Sequence, residues 1–267
     1  MFFSGLELSR RLERAESLCG ARFVEARQRV SPETGACWIE AGGAWAMFDG
    51  PASPATQSFG LGLFAEPAES DLDRLEAFFH DRKAPVTHEV SPLGGVSTAG
   101  MLSLRGYHPV EYSSILYKPL TDDPGGREAN RDLSIRLVEP GEEELYSETS
   151  VLGWNMPAFA GFLKVLGRVV AVCEGSLSFF AFLDGKPIAT AVLRCDEGVA
   201  FLAGASTIPE ARRLGAQRAL FDARLRMARE RGCDIAMMGA EPGSASQRNA
   251  EREGFRLAYT RTKWQMA

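Results

Sequence analysis

The residues whose types and spacing best suit chemistry are Arg212, Arg213 and Arg218 around Gly215, in the stretch PEARRLGAQRALF at 209–221. A helix N-terminus presents backbone amides without intrahelical partners and carries about half a positive charge. Arginines placed there are repelled by about 0.3–1 kcal/mol each at exposed sites. A bound anion reverses the sign, because amides, dipole and guanidinium groups then act on it together. Gly215 lets backbone come close to a ligand, so the loop suits a phosphate or diphosphate. A second reading stays open: the arginines sit in solvent beside Glu210, and Pro209 and Glu210 begin an ordinary helix.

The elements around the loop follow from periodicity. From 213 to 231, Ala216, Ala219, Leu220, Ala223 and Met227 share one helical face, with Arg218, Arg226 and Arg229 mostly opposite. Before it stand a strand (LSIRLVEP), two helices (GEEELYSETSVLGW and PAFAGFLKVLGRVVAVC) and three strands turning at Asp184-Gly185 and Asp196-Glu197-Gly198. After it come CDIAMM as a strand, GSASQRNAERE as a helix and GFRLAYTRTKW as a final strand. The first half repeats the end of this order: strands in ACWIEAGGAWAMFDG and ATQSFGLGLF, a helix SDLDRLEAFFHDR, a strand PVTHEVS, then a helix leading into a strand. Helix starts near 71 and 213, with Gly106-Tyr107 matching Gly254-Phe255, mark a weak, diverged internal duplication. In the first copy Ser70 is the expected N-cap and Asp71, Asp73 and Glu76 fill the first turns, the opposite charge to the second copy. TDDPGGREANRD at 121–132 reads as an exposed linker, which divides the chain into domains at 1–122 and 132–267 joined by 123–131.

Bulk properties narrow the function classes. With 267 residues, 45% hydrophobic and 24% charged, the chain has the composition of a globular protein of two compact units. Residues 1–130 carry 12 Lys/Arg and 18 Asp/Glu, and 131–267 carry 18 and 17, so neither half has the basic balance of a nucleic-acid binder. No apolar run reaches the roughly 18–20 residues of a membrane span, and MFFSGLELSRRLERAE turns polar at once, so no membrane partner and a cytoplasmic location are expected. Cys19, Cys37, Cys173, Cys195 and Cys233 never form a CxxC pair; reduced thiols and no metal site are expected. GxxxxGK[ST] and GxGxxG are absent from the loop, and His80, His88 and His108 all precede the linker, which excludes a Ser-His-Asp arrangement within the second half.

Two motifs carry a family resemblance. T-x-P-E-x-R-x-x-G comprises Thr207, Pro209, Glu210, Arg212 and Gly215, and S-x-x-N-x-E-x-x-G-F comprises Ser246, Asn249, Glu251, Gly254 and Phe255. At this separation, over roughly 132–264, they resemble the GNAT superfamily of acetyl-CoA-dependent N-acetyltransferases. The resemblance implies an α/β (α+β) chain of two tandem GNAT-like domains, each a mixed, mainly antiparallel sheet flanked by helices, the first a degenerate copy without the arginine-glycine loop. It implies acetyl-CoA as cosubstrate, with Ala205, Ser206 and Thr207 on the strand that pairs with the pantetheine arm. By the same resemblance Arg212 and the backbone of Arg213, Leu214, Gly215, Ala216, Gln217 and Arg218 hold the diphosphate, and Ser246 and Asn249 lie near the pantetheine and thiol. Two positions depart from the family: a small residue is usual where Gln217 stands, and the tyrosine that often protonates the sulfur is replaced by Ala250.

Acetyl transfer needs an uncharged amine, a polarised thioester carbonyl and a proton for the thiolate. Ser246, Tyr259 or water can serve as acid, a thiol of pKa about 8.5 being an undemanding leaving group. Glu241 is a candidate water-linked base. Each has a structural alternative: capping for Ser246, a half-buried strand position for Tyr259, and a turn with Pro242 and Gly243 for Glu241. Trp154 and Met156 fall near the segment that covers the acceptor in similar proteins, although Trp154, Phe159, Phe162, Phe179 and Phe180 also suit a core. The expected function is transfer of acetyl from acetyl-CoA to an amine on a small molecule or peptide by direct attack on the thioester. A non-catalytic acyl-CoA-binding or sensing module, or a structural tandem pair, are the alternatives, and a homodimer is compatible with either.

Overall fold

The computed structural model describes residues 3–120, 130 and 132–267; residues 121–129 and 131, with most of the stretch read as a linker, lie outside the described residues. In chain order the elements are α1 (Leu6–Val30), β1 (Cys37–Ala41), β2 (Ala44–Phe48), β3 (Gln57–Phe59), α2 (Glu69–His80), β4 (Thr87–Val90), α3 (Gly95–Leu104) and β5 (Tyr107–Pro119). They continue with β6 (Leu133–Leu137), α4 (Glu143–Trp154), α5 (Ala160–Val172), β7 (Ser176–Leu183), β8 (Lys186–Asp196), β9 (Val199–Thr207), α6 (Ala216–Glu230), β10 (Ile235–Ala240), α7 (Ala245–Arg252) and β11 (Arg256–Met266). Two compact units result, one of residues 1–117 with 239–267 and one of 118–238. The units therefore differ from the linear halves expected from sequence: the last helix and strand pack with the N-terminal residues.

In the first unit the strand order is β1-β2-β3-β4-β11-β5. Only β3 and β4 run parallel, and the other neighbours are antiparallel. Gly42 and Gly43 both adopt positive φ, which lets β1 and β2 join in a two-residue turn. Leu72, Leu75, Phe78 and Phe79 form the buried stripe of α2 against Ala44, Ala46, Phe48, Val86 and Val90. The α2 N-cap is Ala68, not Ser70; the Asp71 carboxylate reaches back to accept from the Ala68 amide at 3.0 Å. Helix α1, which the sequence reading passed over, buries Leu8, Leu12, Ala15 and Cys19 at helical spacing.

That helix also carries half of a buried ionic cluster. Arg261 of β11 donates Nε to Glu89 at 2.9 Å and Nη1 to Glu16 at 2.8 Å and Glu13 at 3.3 Å. Tyr259 donates its hydroxyl to Glu13 at 2.9 Å. Burial pushes the Glu13 carboxyl up to about 7 against the pull of Arg261, with Glu16 and Glu89 adding repulsion. Arg261 is held firmly charged by the three carboxylates around it, and burial pushes the Tyr259 phenol up.

The second unit orders its strands β10-β9-β8-β7-β6, with only β9 and β10 parallel. Asp184-Gly185 and Glu197-Gly198 turn at positive φ, as their residue types dictate. Tyr146 of α4 packs on Phe180 and Val192 beneath it. Near its end α4 comes so close to β9 that a Cβ on Gly153 would meet the Ser206 Cβ at 2.7 Å and the Thr207 amide at 3.0 Å. Arg224 of α6 is fully buried, donating to the Leu220 and Val192 carbonyls at 3.1 and 3.2 Å with its guanidinium 5.0 Å from the Phe221 ring centre. No carboxylate pairs with it among the described residues, and burial lowers it to about 10.

Two outcomes are expected. Glu13 has a folded-state pKa of about 7 against an ordinary 4.5, so the native state holds an extra proton between those values. The stability this proton confers is complete below about pH 4.5 and is lost as pH rises through about 7. Glu13→Gln, which stays neutral, should flatten the fall in urea midpoint between pH 5 and pH 8; a slope equal to the parent's refutes the assignment. Gly153→Ala should cost about 1–3 kcal/mol in urea unfolding, as overpacking does, with partial recovery on adding Ser206→Gly.

Candidate functional site

Strand β9 is paired unequally on its two edges. On the β10 side, among the described residues, it is paired only through Val199, Ala200 and Phe201, opposite Ile235, Ala236 and Met237. From Leu202 to Thr207 its only strand partner among the described residues is β8. The β8 ladder itself slips: Val192 faces Ala203 but Thr190 faces Ser206, so β9 carries one extra residue at Gly204–Ala205. Gly204 takes φ +57°, the left-handed conformation such a bulge asks of its first residue, and is exposed. The result is a kinked strand with an open backbone edge. An amide-bearing chain can pair with such an edge as a strand would.

The bulge is supported from both faces. Arg224 donates to the Val192 carbonyl beside it, while Ser206 Oγ lies 3.0 Å from Thr190 Oγ1 and donates to the Ser150 carbonyl at 3.2 Å. Neither Gly153 nor Arg224 was marked by the sequence reading. A glycine inside a helical pattern was the one available cue for the first, and no spacing signals a buried arginine.

Strand β9 leads through a short 3-10 turn at Pro209–Ala211 to the start of α6, whose N-cap is Gly215 at φ 91°. Pro209 and Glu210 thus belong to a separate turn and do not begin the helix. Arg213 is left-handed at φ 68°, a conformation that costs an L-residue with a Cβ roughly 1–2 kcal/mol. The first intrahelical bond runs from Ala219 to the Gly215 carbonyl. Among the described residues, the backbone amides of Arg213 through Arg218 donate to no partner in the chain. Among the described residues no side chain caps α6, and its first turn contains no acid. Among the described residues no ion pair joins Glu210 to Arg212 or Arg213.

The side chains sort themselves by direction. Arg212 turns back, donating to the Thr207 carbonyl at 3.3 Å and the Gly153 carbonyl at 3.2 Å, so it ties the end of α4 to the end of β9. Gln217 donates to Thr207 Oγ1 at 2.8 Å, which draws its side chain away from the space before the helix. Asn130 holds the loop through the Leu214 carbonyl at 3.1 Å. A Cβ on Gly215 would meet nothing nearer than 3.9 Å, so space is left above the loop. Ala205 is half-buried, Ser206, Thr207 and Ala216 are buried, and Arg213, Leu214 and Gly215 are exposed. The Arg218 Nε is buried without a hydrogen-bond partner among the described residues. Ala205–Thr207 and the loop at 212–218 are therefore brought together in one unit.

The remaining sequence candidates lie in the first unit. Ser244, not Ser246, caps α7 by accepting from the Gln247 amide at 3.2 Å, and Ser246 is exposed in the first turn. Asn249 is half-buried and accepts from Arg252 at 3.4 Å. Ala250, at the family's tyrosine position, is fully buried. Glu241 is exposed and its carbonyl accepts from the Ser244 amide at 3.1 Å, closing a turn with Pro242 and Gly243. The Tyr259 hydroxyl is engaged by Glu13 in the buried cluster. Among the described residues no helix is long and apolar enough to cross a membrane, and no group of three or more His, Cys, Asp or Glu is placed to hold a metal ion.

Known proteins place this geometry. Residues 144–255 match the acetyltransferase (GNAT) family. A GCN5-related N-acetyltransferase from Kribbella flavida superposes with a TM-score of 0.66 at 18% identity, over 92% of this chain and 95% of that one. A tandem GNAT protein from the clavulanic acid biosynthesis pathway gives 0.56 at 14% identity, over 83% and 81%. A GCN5-related N-acetyltransferase from Sphaerobacter thermophilus gives 0.55 at 16% identity, over 78% and 71%. No curated protein matches the sequence. The chain thus has the GNAT fold, in mixed and mostly antiparallel sheets flanked by helices, and its residues 144–255 match the acetyltransferase (GNAT) family.

Proposed function

We propose that the second unit binds acetyl-CoA and that the protein transfers the acetyl group to a primary amine. The observation that carries this reading is the half-paired, bulged β9 leading to a glycine-capped helix start whose amides have no partner among the described residues and whose first turn holds no acid. In this reading the open edge of Ala205, Ser206 and Thr207 pairs with the amides of the pantetheine arm. The backbone amides of Arg213, Leu214, Gly215, Ala216, Gln217 and Arg218 donate to the diphosphate oxygens, with the arginine charge and helix dipole now favourable. Arg212 serves by fixing the loop to β9 and α4.

The acceptor nitrogen attacks the thioester carbon, a C–N bond forms, the C–S bond breaks, and one proton passes from nitrogen to the departing sulfur. The strand amides left out of the β8 ladder are suited to hold the carbonyl oxygen as it gains charge. Ser246 and Glu241 are the proposed proton carriers; Tyr259 is better explained by the cluster it already serves. The N-terminal half is read as a diverged copy: its crossover β3–α2–β4 also joins a parallel pair, but α2 begins with its own acids. Burial of Ala250 favours a second reading, an acyl-CoA-binding module without catalysis.

Several measurements decide among these. Saturating acetyl-CoA should stabilise the protein against thermal unfolding, by about 2.7 kcal/mol at a hundred times Kd, and no shift at millimolar ligand removes the reading. Gly215→Asp, which sets a carboxylate at the diphosphate position, should weaken coenzyme A at least about tenfold by calorimetry. Arg213→Gly should raise stability by up to about 1 kcal/mol through relief of the left-handed residue while weakening coenzyme A; unchanged affinity means the arginine is not a contact. Ser246→Ala and Glu241→Gln should lower turnover by about tenfold or more with acetyl-CoA affinity intact, and an absence of thiol release with any amine favours the binding module.

A further inference from the structure

The acceptor itself leaves a trace on α4 and the turn after it. Residues 149–163, TSVLGWNMPAFAGFL, contain no charged side chain, although Glu148 precedes and Lys164 follows. Within eight residues four large apolar side chains stand in solvent: Leu152 is 62% exposed, Trp154 42%, Met156 44% and Phe159 55%. Singly exposed apolar residues are ordinary, but four within eight residues of an uncharged stretch mark a segment that is covered in use. Asn155, left-handed at φ 52°, ends the helix and turns the chain into the Pro157–Phe159 turn, which keeps the four side chains on a short, sharply bent segment.

This segment is not free to drift. Gly153, between Leu152 and Trp154, packs directly on Ser206 and Thr207, and its carbonyl is held by Arg212. The apolar wall is therefore fastened to the end of β9, the stretch whose edge is open and where the proposed reading puts the acyl donor. All of these residues belong to one unit.

We infer that this wall selects the acceptor, and that the acceptor is an amine carried on an apolar body, an aryl or alkyl group without a second charge. The inference rests on the proposed function. Trp154 and Phe159 offer flat surfaces for an aryl ring, and Met156 adapts to an alkyl chain. A polyamine would need carboxylates to hold its further ammonium groups, and the segment supplies none. The same surface also serves the chemistry: an ammonium brought against apolar side chains loses hydration, so its pKa falls and the neutral, nucleophilic amine is favoured. The nitrogen then forms the C–N bond as the C–S bond breaks, its surplus proton leaving with the thiol, and no further reactant is required.

The test is an acceptor comparison on the whole chain with acetyl-CoA, reading free thiol. Phenylethylamine and octylamine should exceed spermidine in kcat/KM by at least about tenfold. Trp154→Ala and Phe159→Ala, at exposed sites, should keep the melting temperature and the acetyl-CoA Kd while raising KM for phenylethylamine by about tenfold. A preference for spermidine, or apolar-amine kinetics unchanged in both variants, overturns the inference. So does sedimentation showing a self-association that both variants abolish with kinetics unaltered, which assigns the wall to a second copy of the chain. Failure to bind acetyl-CoA at all defeats the proposed function instead, and is read separately by calorimetry before any amine is added.

Discussion

Among the described residues strand β9 is paired with β8 along one edge, broken only by the bulge at Gly204–Ala205, and with β10 along the other for three residues, and much of the second unit holds it so. Unpaired backbone groups cost about 1–3 kcal/mol each when buried, which exposure to water at Gly204 avoids. A half-paired strand is also prone to slip in register. Here the slip is resisted by a fixed bulge: Gly204 accepts the left-handed backbone, Arg224 occupies the Val192 carbonyl, and Ser206 is pinned between Thr190 and Ser150. The helix above can approach only because Gly153 has no side chain. Each of these residues fixes the same feature, the kink that leaves the second half of β9 with one open edge.

The two parallel crossovers solve the electrostatics of a helix start in opposite ways. In α2, Asp71 returns to the Ala68 amide, and Glu69, Asp73 and Glu76 all bind Arg105, so amides and acids are satisfied within the chain. In α6 the corresponding turn has no side-chain cap among the described residues and no acid, and is flanked by arginines, one of them in a costly left-handed conformation. The two helix starts thus share a topology and differ in charge and capping: α2 is closed by its own acids, and α6 leaves its first-turn amides without a partner among the described residues.

How much of this the sequence disclosed depended on range. Turns at Asp184-Gly185 and Glu197-Gly198, the apolar face of α6 and the arginine-glycine loop are local, and all were legible from residue types at short spacing. Three things were not. Helix α1 was passed over because its buried face is broken by charged residues such as Glu13, whose partners in β11 stand 246 and 248 positions away. Packing of α7 and β11 with the N-terminal residues is invisible to any linear division at a linker, because pairing of β11 with β4 and β5 leaves no local mark. Ser70 looked like a cap by type, yet the helix starts earlier and Asp71 does the capping, since an N3 carboxylate can reach an amide that a later serine cannot.

Gln217 is where sequence and geometry meet. By family pattern a small residue belongs there, and a glutamine in its place threatens to fill the space before the helix. Its amide instead reaches Thr207, the last residue of β9. Arg212 grips the carbonyl of the same threonine from the other side of the loop. Thr207 is thereby held both by Arg212, which follows the 3-10 turn, and by the first turn of the helix after it, so the loop between them is closed at its base. A larger side chain at 217 is thus compatible with the proposed anion site: it serves as the second fastening, and in the proposed reading it sets the distance from the open edge of β9 to the amides of α6, the one dimension that an extended ligand bound to both must match.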